Sequence, residues 1–219
     1  MNRLRLVQEL CRLAGITDTG GPTTTIGQSG DFAKAIRYID IAHEEIQNMY
    51  FDWNFLWATN TITTAVGTAV YQGQSNLGIW DAERIYYDGQ KLRVIDYRDY
   101  EPDANRSPGP PEYIVIRPDN QIQIVPVPDD VYSISYDYFR KPVALAENND
   151  TPLIPADYRM AIVGRALMLY GNFEPAEEAK IQGQELYEMY MAPLIAHETP
   201  RKGQLMGRAE NTPFVVYTP

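Results

Sequence analysis

Few residues in this chain could do chemistry, and they are scattered. There are two histidines and one cysteine among 219 residues. His43 falls within an apolar helical stripe and reads as a packed or interface residue, not a ligand. His197 lies near the end, with no metal-ligand spacing around it. Cys11 alone cannot form an internal disulfide or a cysteine-based metal site, and its solitude suits a reducing compartment. The glycines between Gly15 and Gly30 are not followed by the Lys-Ser or Lys-Thr of a phosphate loop. Gly27-Gln28-Ser29-Gly30 lacks the spacing of a nucleophile elbow and reads as a connector. Carboxylates are plentiful, so a hydrolase pair must be weighed. Glu44 and Glu45 fall on the polar side of a helix and Asp129 and Asp130 in a turn, so both pairs read as solvated. The expectation is a protein that is not an enzyme, with no cofactor and no metal.

Those residues are carried by three zones. Residues 2–53 show helical period. Leu6, Leu10 and Leu13 line a first helix from Arg3 to Ala14, with Gly15 at the position that follows a helix end. A Gly- and Thr-rich loop follows. Phe32, Ile36, Ile39, His43, Ile46, Tyr50 and Trp53 then mark a second helix, with Ser29 or Asp31 available to cap it.

From residue 55 to 142 the period changes to two. Tyr132, Ile134, Tyr136 and Tyr138 alternate with polar residues, as do Ile122 and Ile124. Asp88-Gly89 is a two-residue hairpin signal, and Pro118-Asp119-Asn120 and Pro128-Asp129-Asp130 read as turns. Roughly five to seven short strands predict a small antiparallel sandwich or barrel-like module. The stretch from Glu101 to Pro111 carries four prolines, counting Pro111, and predicts a loop.

Helical period returns from residue 155, with Pro155 in the first turn of a third helix and Gly171-Asn172 ending it. Pro175 opens a fourth helix, with Ala179, Gly183, Leu186 and Tyr190 on its apolar face. The predicted fold is α+β. Residues 1–54 and 143–197 build an α-helical bundle of about four helices, 55–142 form an inserted β-module, and 198–219 are an extended C-terminal tail.

A net charge of −10 removes the electrostatic drive for nucleic-acid binding and gives a surface that would repel DNA. The N-terminal apolar residues are interrupted by Arg3, Arg5 and Arg12, unlike a signal peptide. There is no apolar run of about 18 residues, so no membrane span is expected. Sixteen tyrosines suit either half-buried strands or protein interfaces. The cluster Tyr50, Phe51, Trp53, Phe55 and Trp57 reads as the core between bundle and module. The tail is basic at Arg201, Lys202 and Arg208 and then apolar at Phe214, Val215, Val216 and Tyr217, which suits docking onto another protein, for instance by strand addition.

Several stretches together resemble the head-to-tail adaptor proteins beneath the portal of short-tailed bacteriophages. They are Leu6 to Ile16, Glu44-Glu45-Ile46-Gln47 with Trp53-Asn54-Phe55-Leu56-Trp57, and Tyr138 to Pro142 with Pro152-Leu153-Ile154-Pro155. The resemblance implies a homo-oligomeric ring, usually of about twelve copies, attached to the portal protein. Such a ring extends the DNA channel without specific DNA binding and docks tail, nozzle or fibre-attachment proteins. It implies a place in the neck of the virion after assembly in the host cytoplasm, with the tail residues Arg201, Lys202, Arg208 and Phe214 to Tyr217 gripping the portal. The competing expectations are a different tail or nozzle structural protein, a cell-wall hydrolase, and a carbohydrate-binding β-module.

Overall fold

The computed structural model describes residues 1–17, 21–103 and 105–199; of the tail expected at 198–219, Glu198 still belongs to the last helix, Thr199 follows it, and residues 200–219 lie outside the described residues. Among these residues four helices and eight strands make the expected α+β fold.

Helix α1 (Arg3–Leu13) is capped by Asn2, whose Oδ1 accepts from the Arg5 N–H at 3.0 Å. It ends with Gly15 at φ +64°, the Gly15 N–H reaching the Arg12 carbonyl and the Ile16 N–H the Cys11 carbonyl at 3.0 Å. Those two bonds satisfy carbonyls the last turn leaves free. Helix α2 (Gly30–Met49) buries Ile36, Ile39, His43 and Ile46 as the stripe predicts. Its cap differs from expectation. Ser29 sits at the capping position but its side chain makes no capping bond, and Asp31 pairs with Lys34. The helix also stops before the stripe does. Tyr50 turns outward, whereas Trp53 folds back into the core and donates its indole N–H to the Ile46 carbonyl at 3.0 Å.

Helices α3 (Met160–Phe173) and α4 (Glu177–Glu198) form the rest of the bundle. Pro155 precedes a 3-10 turn (Ala156–Tyr158) and lies outside α3 itself. Gly171 and Asn172 do not end α3, which runs on to Phe173. Gly171 is there for another reason: a Cβ on it would lie 2.7 Å from the Lys180 amide nitrogen, so only glycine lets α4 cross so near. The bundle core joins Leu6, Leu10, Ile39, Ile46, Trp53, Ile162 and Leu194.

Strands β1 (Trp57–Thr63), β8 (Ser133–Arg140), β3 (Leu77–Tyr87) and β4 (Gln90–Lys91) form one sheet in that order. Strands β2 (Val70–Gln72), β7 (Gln121–Val125), β6 (Tyr113–Ile116) and β5 (Arg93–Asp96) form the other. The chain passes between sheets at Leu92, and Ile62, Trp80, Ile85, Ile114, Ile122, Ile124 and Tyr136 share one core between them. Asp88 and Gly89 both take positive φ, 49° and 72°, in the expected tight hairpin of β3 and β4. Asn120, at φ 61°, closes the β6–β7 turn.

The expected all-antiparallel pairing is corrected at one place: β5 and β6 are parallel. Parallel neighbours need a connection of about a dozen residues or more, and the proline-rich stretch between them supplies it. The loop was legible; its topological consequence was not.

Candidate interaction surface

The residues singled out for chemistry are mostly consumed by structure. His43 is 2% exposed. Gln47 is held by Val143 on both sides, its Oε1 accepting from the Val143 N–H (3.1 Å) and its Nε2 donating to the carbonyl (3.2 Å). Its Nε2 therefore faces His43 Nδ1 as a donor at 3.3 Å, which makes Nδ1 the acceptor and leaves the proton on Nε2. Burial pushes the His43 pKa down to about 4. The sign follows. Between about pH 6.5 and 4 the unfolded chain binds the proton and the folded chain does not, so stability is greatest above that window and falls as pH drops through it. About 2 kcal/mol should be lost at pH 5, and His43→Leu should flatten that part of the curve in urea unfolding at pH 7.5 and 5. An identical pH slope in the variant would contradict this.

Cys11 is fully buried and its thiol is pushed up to about 11, so it is neither a nucleophile nor a ligand as folded. His197 lies against Tyr158 with the rings tilted by 48°, and its Nδ1 hydrogen-bonds Glu198 at 2.7 Å. Glu45 binds Arg165 at 2.7 Å while Glu44 faces outward. Asp129 accepts from the Tyr132 hydroxyl and Asp130 from the Val131 N–H, so both are spent on their turn. Among the described residues no cluster of three or more metal-ligating side chains forms. Nor is any helix long and apolar enough to cross a membrane.

What the surface offers instead is apolar area. The aromatic junction was expected to be core, and it is so only in part. Trp53 is buried with Phe55 stacked on it at 5.2 Å, but Phe51 is 64% and Trp57 43% exposed. Chain direction decides this: the turn after Met49 leaves Tyr50 and Phe51 facing solvent, brings Trp53 and Phe55 back onto the bundle, and lets Trp57 face out again. Phe51 opens onto a cavity of about 160 Å³ between the end of α2 and β3 and β8, lined also by Ile79, Phe139, Arg140 and Lys141. Arg140 donates to the Trp57 carbonyl at 3.1 Å, while its Nε is buried without a hydrogen-bond partner among the described residues. Exposed aromatic and apolar area beside an arginine is a feature of protein interfaces.

A second apolar feature lies on α4. Ile181 is 52% and Met189 65% exposed, on the side opposite buried Gly183, Met191 and Leu194. Tyrosine contributes less to these surfaces than its abundance suggests. Tyr136 and Tyr138 are buried in the module, and Tyr38, Tyr170, Tyr187 and Tyr190 are partly buried against the bundle.

The model of the family described as "SU10 adaptor protein" matches residues 1–209, across bundle and β-module alike. The chain belongs to the SU10 adaptor protein family. A comparison with curated proteins gives no match. Family membership agrees with the resemblance read from Leu6–Ile16, the aromatic junction and Pro152–Pro155, and gives this adaptor a structural role in the phage virion. The tail residues expected to bind a partner, Arg201, Lys202, Arg208, Phe214, Val215, Val216 and Tyr217, lie outside the described residues. Sequence reasoning missed the groove at Arg140 and Lys141. Its one signal was two adjacent cations ending an aromatic strand, just where the chain returns to the bundle.

Proposed function

We propose that this adaptor forms a ring beneath the phage portal, extends the DNA channel, and presents a docking surface to tail or nozzle proteins in the virion neck. The family match over residues 1–209 carries the reading. The net charge of −10 supports it, since an acidic channel wall repels the DNA that must slide past. In this division of labour residues 1–54 and 143–197 build the ring, 55–142 face tail components, and 198–219 hold the portal through Arg201, Lys202, Arg208 and the apolar Phe214 to Tyr217.

The test is the mass of the chain in solution, alone and mixed with the portal protein of the same phage. A small free species that becomes a large stoichiometric complex only with portal supports the reading. Portal that leaves the mass unchanged overturns it. Deleting residues 200–219 should then abolish portal binding while leaving the urea midpoint of the remaining chain unchanged, and a truncated chain that binds normally would remove the tail from the mechanism.

A further inference from the structure

The two exposed apolar features carry opposite charge. The junction groove presents Phe51, Ile79, Arg140 and Lys141, and no carboxylate lines it among the described residues. Neither Arg140 nor Lys141 makes an ion pair among those residues, on a chain whose net charge is −10. The outward face of α4 has Glu178, Ile181, Glu185 and Met189 at helical spacing of three, four and four, all exposed. They form one ridge in which carboxylate and apolar side chain alternate. Glu178 and Glu185 make no ion pair among the described residues, whereas the nearby Lys180 is drawn to Glu177 at 4.0 Å.

These surfaces do not meet within one chain, since both are exposed to solvent. They complement each other in charge and both need apolar cover, and a groove and a ridge on one molecule suit contact between copies. We propose that the α4 ridge of one copy docks into the junction groove of the next, with Glu178 and Glu185 facing Arg140 and Lys141 and with Ile181 and Met189 covering Phe51 and Ile79. Using two different surfaces makes the contact heterologous, the type that closes into a ring when its rotation divides a full turn. This rests on the ring reading above, names its subunit contact, and adds one edge of the β-module, at Ile79, Arg140 and Lys141, to the bundle faces that build the ring. The charge pairs set register and partner choice, and the apolar contacts supply the drive.

The experiment uses full-length chains carrying Ile79→Cys or Ile181→Cys, tagged differently, mixed and oxidised; native Cys11 is buried and stays out of reaction. The mixed disulfide should exceed the homodimer of either variant about tenfold. Lys141→Glu on the first chain should cut it about tenfold, and Glu185→Lys on the second should restore it. A chain carrying both cysteines should give a ladder of multimers. Homodimers alone, or a mixed yield indifferent to the charge reversals, would overturn the contact. Portal binding of the same variants separates the two claims. Chains that load fully onto portal without the mixed disulfide overturn this contact and spare the adaptor reading. Chains that cross-link in the charge-dependent pattern but ignore portal do the reverse.

Discussion

Gly183→Val is expected to lower stability by about 3 kcal/mol or more, a large loss for one small side chain. Helices α3 and α4 cross on bare backbone. A Cβ on Gly183 would sit 2.7 Å from the Met168 amide nitrogen and 2.9 Å from the Gly164 carbonyl oxygen. On Gly164 it would meet the Tyr187 amide nitrogen at 2.6 Å. These neighbours are main chain and cannot rotate aside, so any side chain must push the helices apart. The sign is therefore opposite to the usual one. In an exposed helix, glycine to alanine gains about 1 kcal/mol; here Gly183→Ala should lose about 1–3 kcal/mol despite that gain. Urea unfolding monitored by circular dichroism reads both variants, with the exposed neighbour Gln182→Ala as control. An unchanged midpoint for Gly183→Ala would mean the helices have room to spare.

Arg3→Ala should cost about 3–4 kcal/mol. The guanidinium is buried and grips Asp40 through both carboxylate oxygens, at 3.0 and 2.6 Å. It also donates to the Thr25 hydroxyl at 3.1 Å and to the Ala146 carbonyl. One side chain thus ties α1 to α2, to the loop before α2, and to the segment returning from the β-module. Removing it strands a carboxylate and a carbonyl without partners. Asp40 keeps 34% of its side-chain exposure, so water softens the loss and places the value toward the lower end of that range. Arg3→Lys should recover little, because a single ammonium cannot reproduce the planar fork. The combined Arg3→Ala, Asp40→Asn variant should be less unstable than the sum of the singles by about 1 kcal/mol or more. Strict additivity in that cycle would contradict the network.

The features legible in the sequence were those with a local signature. Period three-to-four placed α1 and α2 within a few residues, the positive-φ pair Asp88-Gly89 placed a hairpin, and alternation at Tyr132 to Tyr138 placed β8. The misses share a cause. Arg3 read only as a charge interrupting an apolar N-terminus, because its partners lie as far as 143 residues away. Gly171 read as a helix terminator because glycine usually is one, and only the approach of α4 reveals its other use. The parallel pairing of β5 with β6 came from how a loop is routed, which no strand pattern encodes. The same holds for the surface. Phe51 and Trp57 have the composition of core residues, and only the turn after α2 decides that they face water.

The order of elements has a consequence for synthesis on the ribosome. Helices α1 and α2 end at Met49, while their packing partner α3 begins at Met160, roughly 110 residues later. At ordinary elongation rates that interval lasts about 5–20 s, during which the stripe of Ile36, Ile39 and Ile46 has no α3 to cover it. The β-module emerges in that interval with a core of its own, so it can fold first. The nascent chain therefore carries a folded module beside a half-built bundle, and the cell's holding chaperones have a defined target: the second helix, until the last two arrive.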